Sequence, residues 1–237
     1  MHDSILPVET YLRSKKKDFK VQEHHHPSSA RVAIGDKIVC GVGGCLRAQY
    51  WNWMGVEPTN PINLNGLHNV TIGHAYEDWY EEGLKILGKE YQREVAFKAD
   101  IGLKYQMSGR IDFLVKEDNG WEGVELKTSY GRGMDYYKKT KKPKESYLLQ
   151  MLCYFEYLEK PIKVFHNPVF ARDNFYRTTF KIEKGKTEYT FKQIVASWRE
   201  LEGFLERKEL PPRDFNDKDY QCRYCAYKNK CNKEVRK

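Results

Sequence analysis

The sequence predicts an α/β (α+β) fold with a core sheet flanked by helices, and three observations carry that prediction. Two long stretches, 70–87 and 188–207, place apolar residues at helical spacing. Five short runs between them read as strands, and a further helix over 145–159 separates the third strand from the fourth. A length of 237 residues suits one domain with its own core. Hydrophobic residues at 40% and charged residues at 31% exclude a disordered or membrane-embedded chain.

The elements follow in order. Residues 7–20 predict a short basic helix, and His24, His25, His26, Pro27, Ser28 and Ser29 an exposed loop, since adjacent loop side chains rarely converge on one ligand. In 70–87, Ile72, Tyr76, Trp79, Tyr80, Leu84 and Leu87 form an inward face, while His74, Glu77 and Glu81 share the opposite one. Strands are expected over 94–101, 109–116 and 121–128, with Glu117-Asp118-Asn119-Gly120 turning a hairpin between the last two. A lysine-rich loop with Lys138, Lys139, Lys141, Lys142 and Lys144 leads to the 145–159 helix, and strands follow over 162–171 and 175–182. Helix 188–207 ends before Pro211 and Pro212, which hand over to a cysteine-rich tail. The expected organisation is a single domain, 1–237, comprising an N-terminal helical segment (1–69), a core (70–183) and a C-terminal helix with tail (184–237).

Charge and cysteines narrow the function classes. The formal net charge of +8 favours polyanionic partners. No apolar run reaches the roughly 18 residues of a membrane span, and the N-terminus lacks the apolar core of a secretory leader. A cytoplasmic, prokaryotic or phage-like location without a membrane partner is therefore expected. Six cysteines in such a chain favour metal, redox or core roles over disulfides. Gly83 to Lys89 has the glycine-lysine spacing of a phosphate loop, but Glu90 occupies the Ser/Thr position and the stretch ends a helix. No ATP-driven activity is expected from it.

The chemical signal is Gly109-Arg110-Ile111-Asp112 followed by Glu125-Leu126-Lys127. Alternation puts Glu125 and Lys127 on one face, and a paired hairpin brings Asp112 beside them. Two carboxylates form a hard-oxygen site for Mg²⁺ or Mn²⁺, and the ammonium can orient a water or stabilise charge on phosphorus. A surface Glu/Lys pair on a hydrophobic hairpin is the plain alternative. His74 offers an imidazole on a polar helix face, and Gln150 and Tyr154 share a stripe at i, i+4. Gln150 and Tyr154 could hydrogen-bond a phosphate or the site itself.

In order, His74, Gly109-x-x-Asp112, Glu125-x-Lys127 and Gln150-x-x-x-Tyr154 resemble the RecB-like exonucleases of the PD-(D/E)XK superfamily. The resemblance implies a restriction-endonuclease-like core sheet and a metal-dependent DNA exonuclease acting on ends or single strands. It implies metal ligation by His74, Asp112, Glu125 and the Leu126 carbonyl, assistance by Lys127, and support of DNA and site by Gln150 and Tyr154. Ile111 stands where the superfamily has proline. Cys45-x-Arg47-x-x-Tyr50 with Cys222-x₂-Cys225-x₅-Cys231 further resembles AddB nuclease domains and CRISPR-adaptation exonucleases, which implies a 4Fe-4S cluster on Cys45, Cys222, Cys225 and Cys231. Ala226 stands where proline is usual. Four thiolates hold Zn²⁺ as readily, and spacing does not separate the two. Cys40 lacks the arginine and tyrosine that follow Cys45, and Cys153 reads as a core thiol. The lysine loop is a candidate DNA contact. DNA is the expected partner, with a recombination or helicase protein as a further one. The same site would serve a structure-selective endonuclease, and the same fold a non-catalytic DNA- or partner-binding module.

Overall fold

The computed structural model describes residues 6–34, 37–156, 159–174, 176–216 and 218–235. Phe175, expected to open a strand, and the Cys40 side chain lie outside the described part. The chain begins with α1 (Leu6–Ser14), the hairpin β1 (Arg31–Ile34) and β2 (Lys37–Gly43), α2 (Leu46–Trp53) and the long α3 (Leu64–Ile86). The sheet is then built from β3 (Tyr91–Ala99), β4 (Met107–Glu117), β5 (Gly120–Val124) and β6 (Lys127–Ser129). α4 (Arg132–Thr140) and α5 (Glu145–Tyr154) cross over to β7 (Val164–Ala171) and β8 (Arg177–Glu183). α6 (Phe191–Arg207), α7 (Tyr220–Arg223) and α8 (Lys228–Val235) complete the chain.

β3, β4 and β5 pair antiparallel, and the α4–α5 crossover brings β7 in parallel to β5, with β8 antiparallel on its far side. Such a parallel return needs a crossover long enough to carry helices. β5 and β6 meet β7 in one register, Gly123 opposite Phe165 and Lys127 opposite Val169. The expected strand 121–128 is thus one line of chain whose ladder is interrupted at Glu125 and Leu126. Gly123 is required there, because a Cβ would overlap the Phe165 ring.

Both faces of the sheet are covered. Along β4, Phe113 and Val115 pack with Leu84, Tyr76 and Tyr80 of α3, while Leu114 joins Leu149 and Cys153 of α5 and Ile194 and Trp198 of α6. Alternation puts these two clusters on opposite faces. The apolar face predicted for 70–87 is the one that packs, although Trp79 and Leu87 remain exposed. α3 starts earlier than predicted, because Asn63 caps it by accepting a hydrogen bond from Gly66 N at 3.0 Å. A capping box between Thr190 and Gln193 starts α6. The predicted lysine loop is partly helical: Lys138 and Lys139 belong to the last turn of α4, and Lys141 ends it in the left-handed region. Among the described residues, no helix is long and apolar enough to cross a membrane.

The histidine stretch departs from expectation. His25 is fully buried, stacked on Trp198 at 4.9 Å, with Nε2 3.0 Å from Glu202 Oε1. Burial pushes its pKa down, and Glu202 opposes that shift. A loop is exposed only where the backbone is not claimed by a neighbour, and here His25 N donates to Gln106 O while Ser108 N donates to His25 O. The N-terminal segment therefore lies against β4.

A buried ion pair ties the tail to this segment. Arg31 of β1 and Asp214 are 2.5 Å apart with both side chains inaccessible, and the second Asp214 oxygen accepts from Leu46 N at 2.6 Å. Behind it, Leu46, Tyr50 and Trp51 of α2 pack with Leu201, Tyr227 and Cys231. Replacing Asp214 with alanine removes the nearer of two carboxylates from the buried Arg31 guanidinium, leaving Glu200 at 3.9 Å, a loss of about 3 kcal/mol. Urea denaturation of Asp214→Ala against the parent should show that loss; a change within about 0.5 kcal/mol, the level of an ordinary surface substitution, would mean the pair contributes nothing.

Candidate active site

Glu125 sits in the interruption between β5 and β6, only 1% exposed. Its backbone stays in the sheet: Glu125 N donates to His166 O at 2.9 Å, and Asn167 Nδ2 donates to Glu125 O at 2.7 Å. The next amide leaves the ladder, since Leu126 N donates to Asp112 Oδ2 at 2.8 Å. The carboxylate of β4 thus takes a bond that a strand partner would otherwise satisfy, which breaks the ladder and fixes Asp112 beside Glu125. The Leu126 side chain points the other way, into the cluster under α3.

The Glu125 carboxylate is held on one oxygen only. Oε1 accepts from Lys127 Nζ at 2.5 Å and from Gln150 Nε2 at 2.8 Å. Gln150 Nε2 also lies 2.6 Å from Tyr154 OH, which donates to Arg110 O at 2.9 Å. Gln150 and Tyr154 are both buried, so their i, i+4 stripe braces the carboxylate and the β4 backbone. Glu125 Oε2 is buried with no hydrogen-bond partner among the described residues. An orphaned buried carboxylate oxygen is costly unless a donor or cation meets it.

A third carboxylate joins these two. Glu77 of α3 is pushed up to about 7, by burial and then by the Asp112 charge, with Arg93 opposing. Glu125 is likewise pushed up to about 7 by burial, with Lys127 opposing and Asp112 and Glu77 adding to the rise. Asp112 is raised by burial, against the pull of Lys127 and of its bond to Leu126 N. The Lys127 ammonium is held above its ordinary pKa by Glu125 and Asp112, whose attraction outweighs burial. It is a cation at neutral pH. Arg93 of β3 pairs with Asp78 and Glu81, each at 2.6 Å, and lies 3.9 Å from Glu77, which docks this face of α3 on the sheet.

The other predicted residues fall as follows. His74 stands one turn before Glu77 on α3 and is exposed, whereas Glu77 is half-buried and its carboxyl is raised by burial and by the Asp112 charge. Sequence had put the two on the same polar face. Asn167 carried no signal beyond being polar within an apolar strand. Of the lysines, Lys144 lies over the ring of Tyr147, which Lys127 also faces. Burial raises the thiol pKa values of Cys45 and Cys225, and any charge on a neighbouring cysteine would add to the rise, Cys225 for Cys45 and Cys222 and Cys231 for Cys225. Cys153 is a buried core thiol. Among the described residues, no three His, Cys, Asp or Glu side chains stand as ligands of a single ion.

A half-buried Asp and a Glu-x-Lys with its glutamate buried, on neighbouring strands of a mixed sheet braced by helices on both faces, define a class. The chain belongs to the PD-(D/E)XK nuclease superfamily, whose pattern matches residues 69–232. Among solved structures, the protein SSO0001 superposes with a TM-score of 0.58 at 14% identity, covering 96% of this chain and 95% of that one. An alkaline exonuclease from Laribacter hongkongensis gives 0.49 at 17% identity over 69% of this chain and 80% of that one. The same exonuclease in complex with dAMP gives 0.49 at 16%, over 69% and 78%. No curated protein matches the sequence significantly.

The raised carboxyls carry a pH signature. Glu77 and Glu125 titrate at about 7 when folded, above the roughly 4.3 of an unfolded chain. The folded state therefore binds protons more tightly, and folding is weakened by the full repulsion only above the folded pKa. Metal-stripped protein should gain on the order of 1–3 kcal/mol as pH falls from about 8 to about 5.5. Denaturation curves in EDTA test this, and Glu125→Gln should flatten the profile; stability that falls over this window in the parent would contradict the assignment.

Proposed function

We propose that the protein is a Mg²⁺- or Mn²⁺-dependent deoxyribonuclease of exonuclease type, hydrolysing phosphodiester bonds at DNA ends or in single strands. The observation that carries the reading is the orphaned Glu125 oxygen among three mutually repelling carboxylates, beside a lysine held charged. Repulsion that raises carboxyl pKa values is relieved by a divalent cation, and all-oxygen donors suit Mg²⁺ and Mn²⁺. Asp112, Glu125 and Glu77 would hold the ion, with the Leu126 carbonyl and His74 as the further ligands that the family resemblance implies. Bound there, it would stabilise negative charge on the scissile phosphate.

The side chains of the chain divide the remaining work. Lys127, cationic and fixed by Glu125, cannot accept a proton at neutral pH; it orients the attacking water and stabilises charge on the phosphorus centre. Gln150 and Tyr154 keep the Glu125 carboxylate aimed, and Asn167 holds the backbone beneath it. The net charge of +8 supplies long-range attraction for a polyanion. Exonuclease action is the part supported by the ordered His74 to Tyr154 resemblance.

The test is digestion of end-labelled linear DNA and of covalently closed circles with each ion. Mononucleotides or short products from the linear substrate alone are expected, and cutting of the circle would assign an endonuclease. Glu125→Ala and Asp112→Ala should lower the rate by at least about 100-fold while keeping the parent's circular dichroism spectrum. Cleavage near the parent rate would remove the site assignment.

We infer further that Cys45, Cys222, Cys225 and Cys231 bind one inorganic centre, a 4Fe-4S cluster as the resemblance implies. Burial pushes the Cys45 thiol up to about 12, so it stays protonated unless a metal takes its proton's place. Guanidinium donors face the sulfurs: Arg47 Nη1 lies 3.6 Å from Cys231 Sγ and Arg213 Nη2 3.8 Å from Cys222 Sγ. N–H···S donors of this kind stabilise cluster-bound thiolates. Anaerobically purified protein should be brown with iron and acid-labile sulfide in equal amounts; colourless protein with stoichiometric zinc would assign a zinc staple.

A further inference from the structure

Beside the candidate site stands a group of aromatic side chains that hydrolysis itself does not need. The Lys144 ammonium faces three tyrosine rings, Tyr137 at 5.7 Å, Tyr147 at 5.8 Å and Tyr220 at 5.6 Å from the ring centroids. The Tyr147 ring is shared, with Lys127 Nζ 5.2 Å from its centroid. One ring therefore separates the site's lysine from Lys144, and Tyr220 lies just beyond. Tyr220 in turn contacts Tyr224, the centroids 5.1 Å apart.

The two outer rings contribute little to the core. Tyr220 is 65% exposed and Tyr224 78%. They are carried by the tail, on the short helix that also bears Cys222, so the cysteine segment delivers them to the site. Exposed π-faces interleaved with ammonium groups suit a ligand that is both anionic and flat. A duplex buries the faces of its bases in its own stack, and only an unpaired strand can offer them to side chains.

We propose that Tyr220 and Tyr224 form a stacking platform for the bases of single-stranded DNA, with Lys144 gripping the phosphate between the platform and the cleavage site. This assigns single strands, or frayed ends, as the substrate class and rests on the nuclease reading above. Stacking is sequence-tolerant, since every base has a face, so the platform selects strandedness and not sequence.

The experiment measures affinity for a fluorescent oligo-dT and for a duplex closed by hairpins at both ends, in Ca²⁺ to suppress cleavage, across a salt series. The variants are Tyr220→Ala with Tyr224→Ala, the same pair changed to phenylalanine, and Lys144→Gln. The alanine pair should weaken oligo-dT binding by about 5- to 100-fold. Its log-log salt slope should not change, because no charge is lost, and the closed duplex should bind as it does to the parent. The phenylalanine pair should retain oligo-dT binding, which separates lost stacking from a damaged fold. Lys144→Gln should reduce the slope on oligo-dT by about 0.7. Parental oligo-dT affinity in the alanine pair, or equal weakening on both DNAs, would overturn the platform. A parent that digests DNA while the alanine pair binds oligo-dT normally removes the platform alone, whereas a parent that binds neither DNA removes the nuclease reading as well.

Discussion

Everything at the site depends on placing one carboxylate, that of Glu125, where water barely reaches it. A buried charge is tolerated only if it is paired, and the chain surrounds this one with partners from separate elements: Lys127 from β6, Gln150 from α5 and, beneath its backbone, Asn167 from β7. Those partners saturate one oxygen and leave the other unpartnered among the described residues. The asymmetry leaves one buried carboxylate oxygen whose desolvation nothing offsets, the position at which a donor or a cation would gain most.

The same constraint explains the broken strand. β5 and β6 hold a common register on β7, so nothing in the sheet geometry requires an interruption. It arises because Asp112 claims the Leu126 amide, which draws two carboxylates together against their repulsion. Arg93 adds a third by docking α3 on β3 through Asp78 and Glu81. Local order is spent here to concentrate like charge, a departure from maximal stability of the kind that marks functional sites.

The tail serves both ends of the molecule. Asp214 locks it to β1 and α2 through a buried pair, and Cys225 and Cys231 pack in the cluster behind α2. From that anchorage Tyr220 reaches Lys144 beside the site. A segment of poor apolar content, Pro211 onwards, thus acquires position from one buried ion pair and a small aromatic cluster instead of a core of its own.

Periodicity alone placed the longer helices and strands between 70 and 207, since a half-buried sheet and amphipathic helices leave regular apolar patterns, but it missed α4, which reads in the sequence as part of a loop. Spacing alone picked out Asp112, Glu125, Lys127, Gln150 and Tyr154, which the structure brings together. The short elements escaped: β1, β2, α2 and α8 carry too few residues to show a period, and the burial of His25 depends on backbone bonds to Gln106 and Ser108 more than 80 positions away. The part of Glu77 was equally beyond the sequence. It shares one polar stripe of α3 with His74, and the pairing of Arg93 with Asp78 and Glu81 docks that helix on β3, where burial and the Asp112 charge raise the Glu77 carboxyl. Local pattern records which residues share a face, whereas the angle at which that face meets its neighbours is decided by long-range contacts that leave no period in the chain.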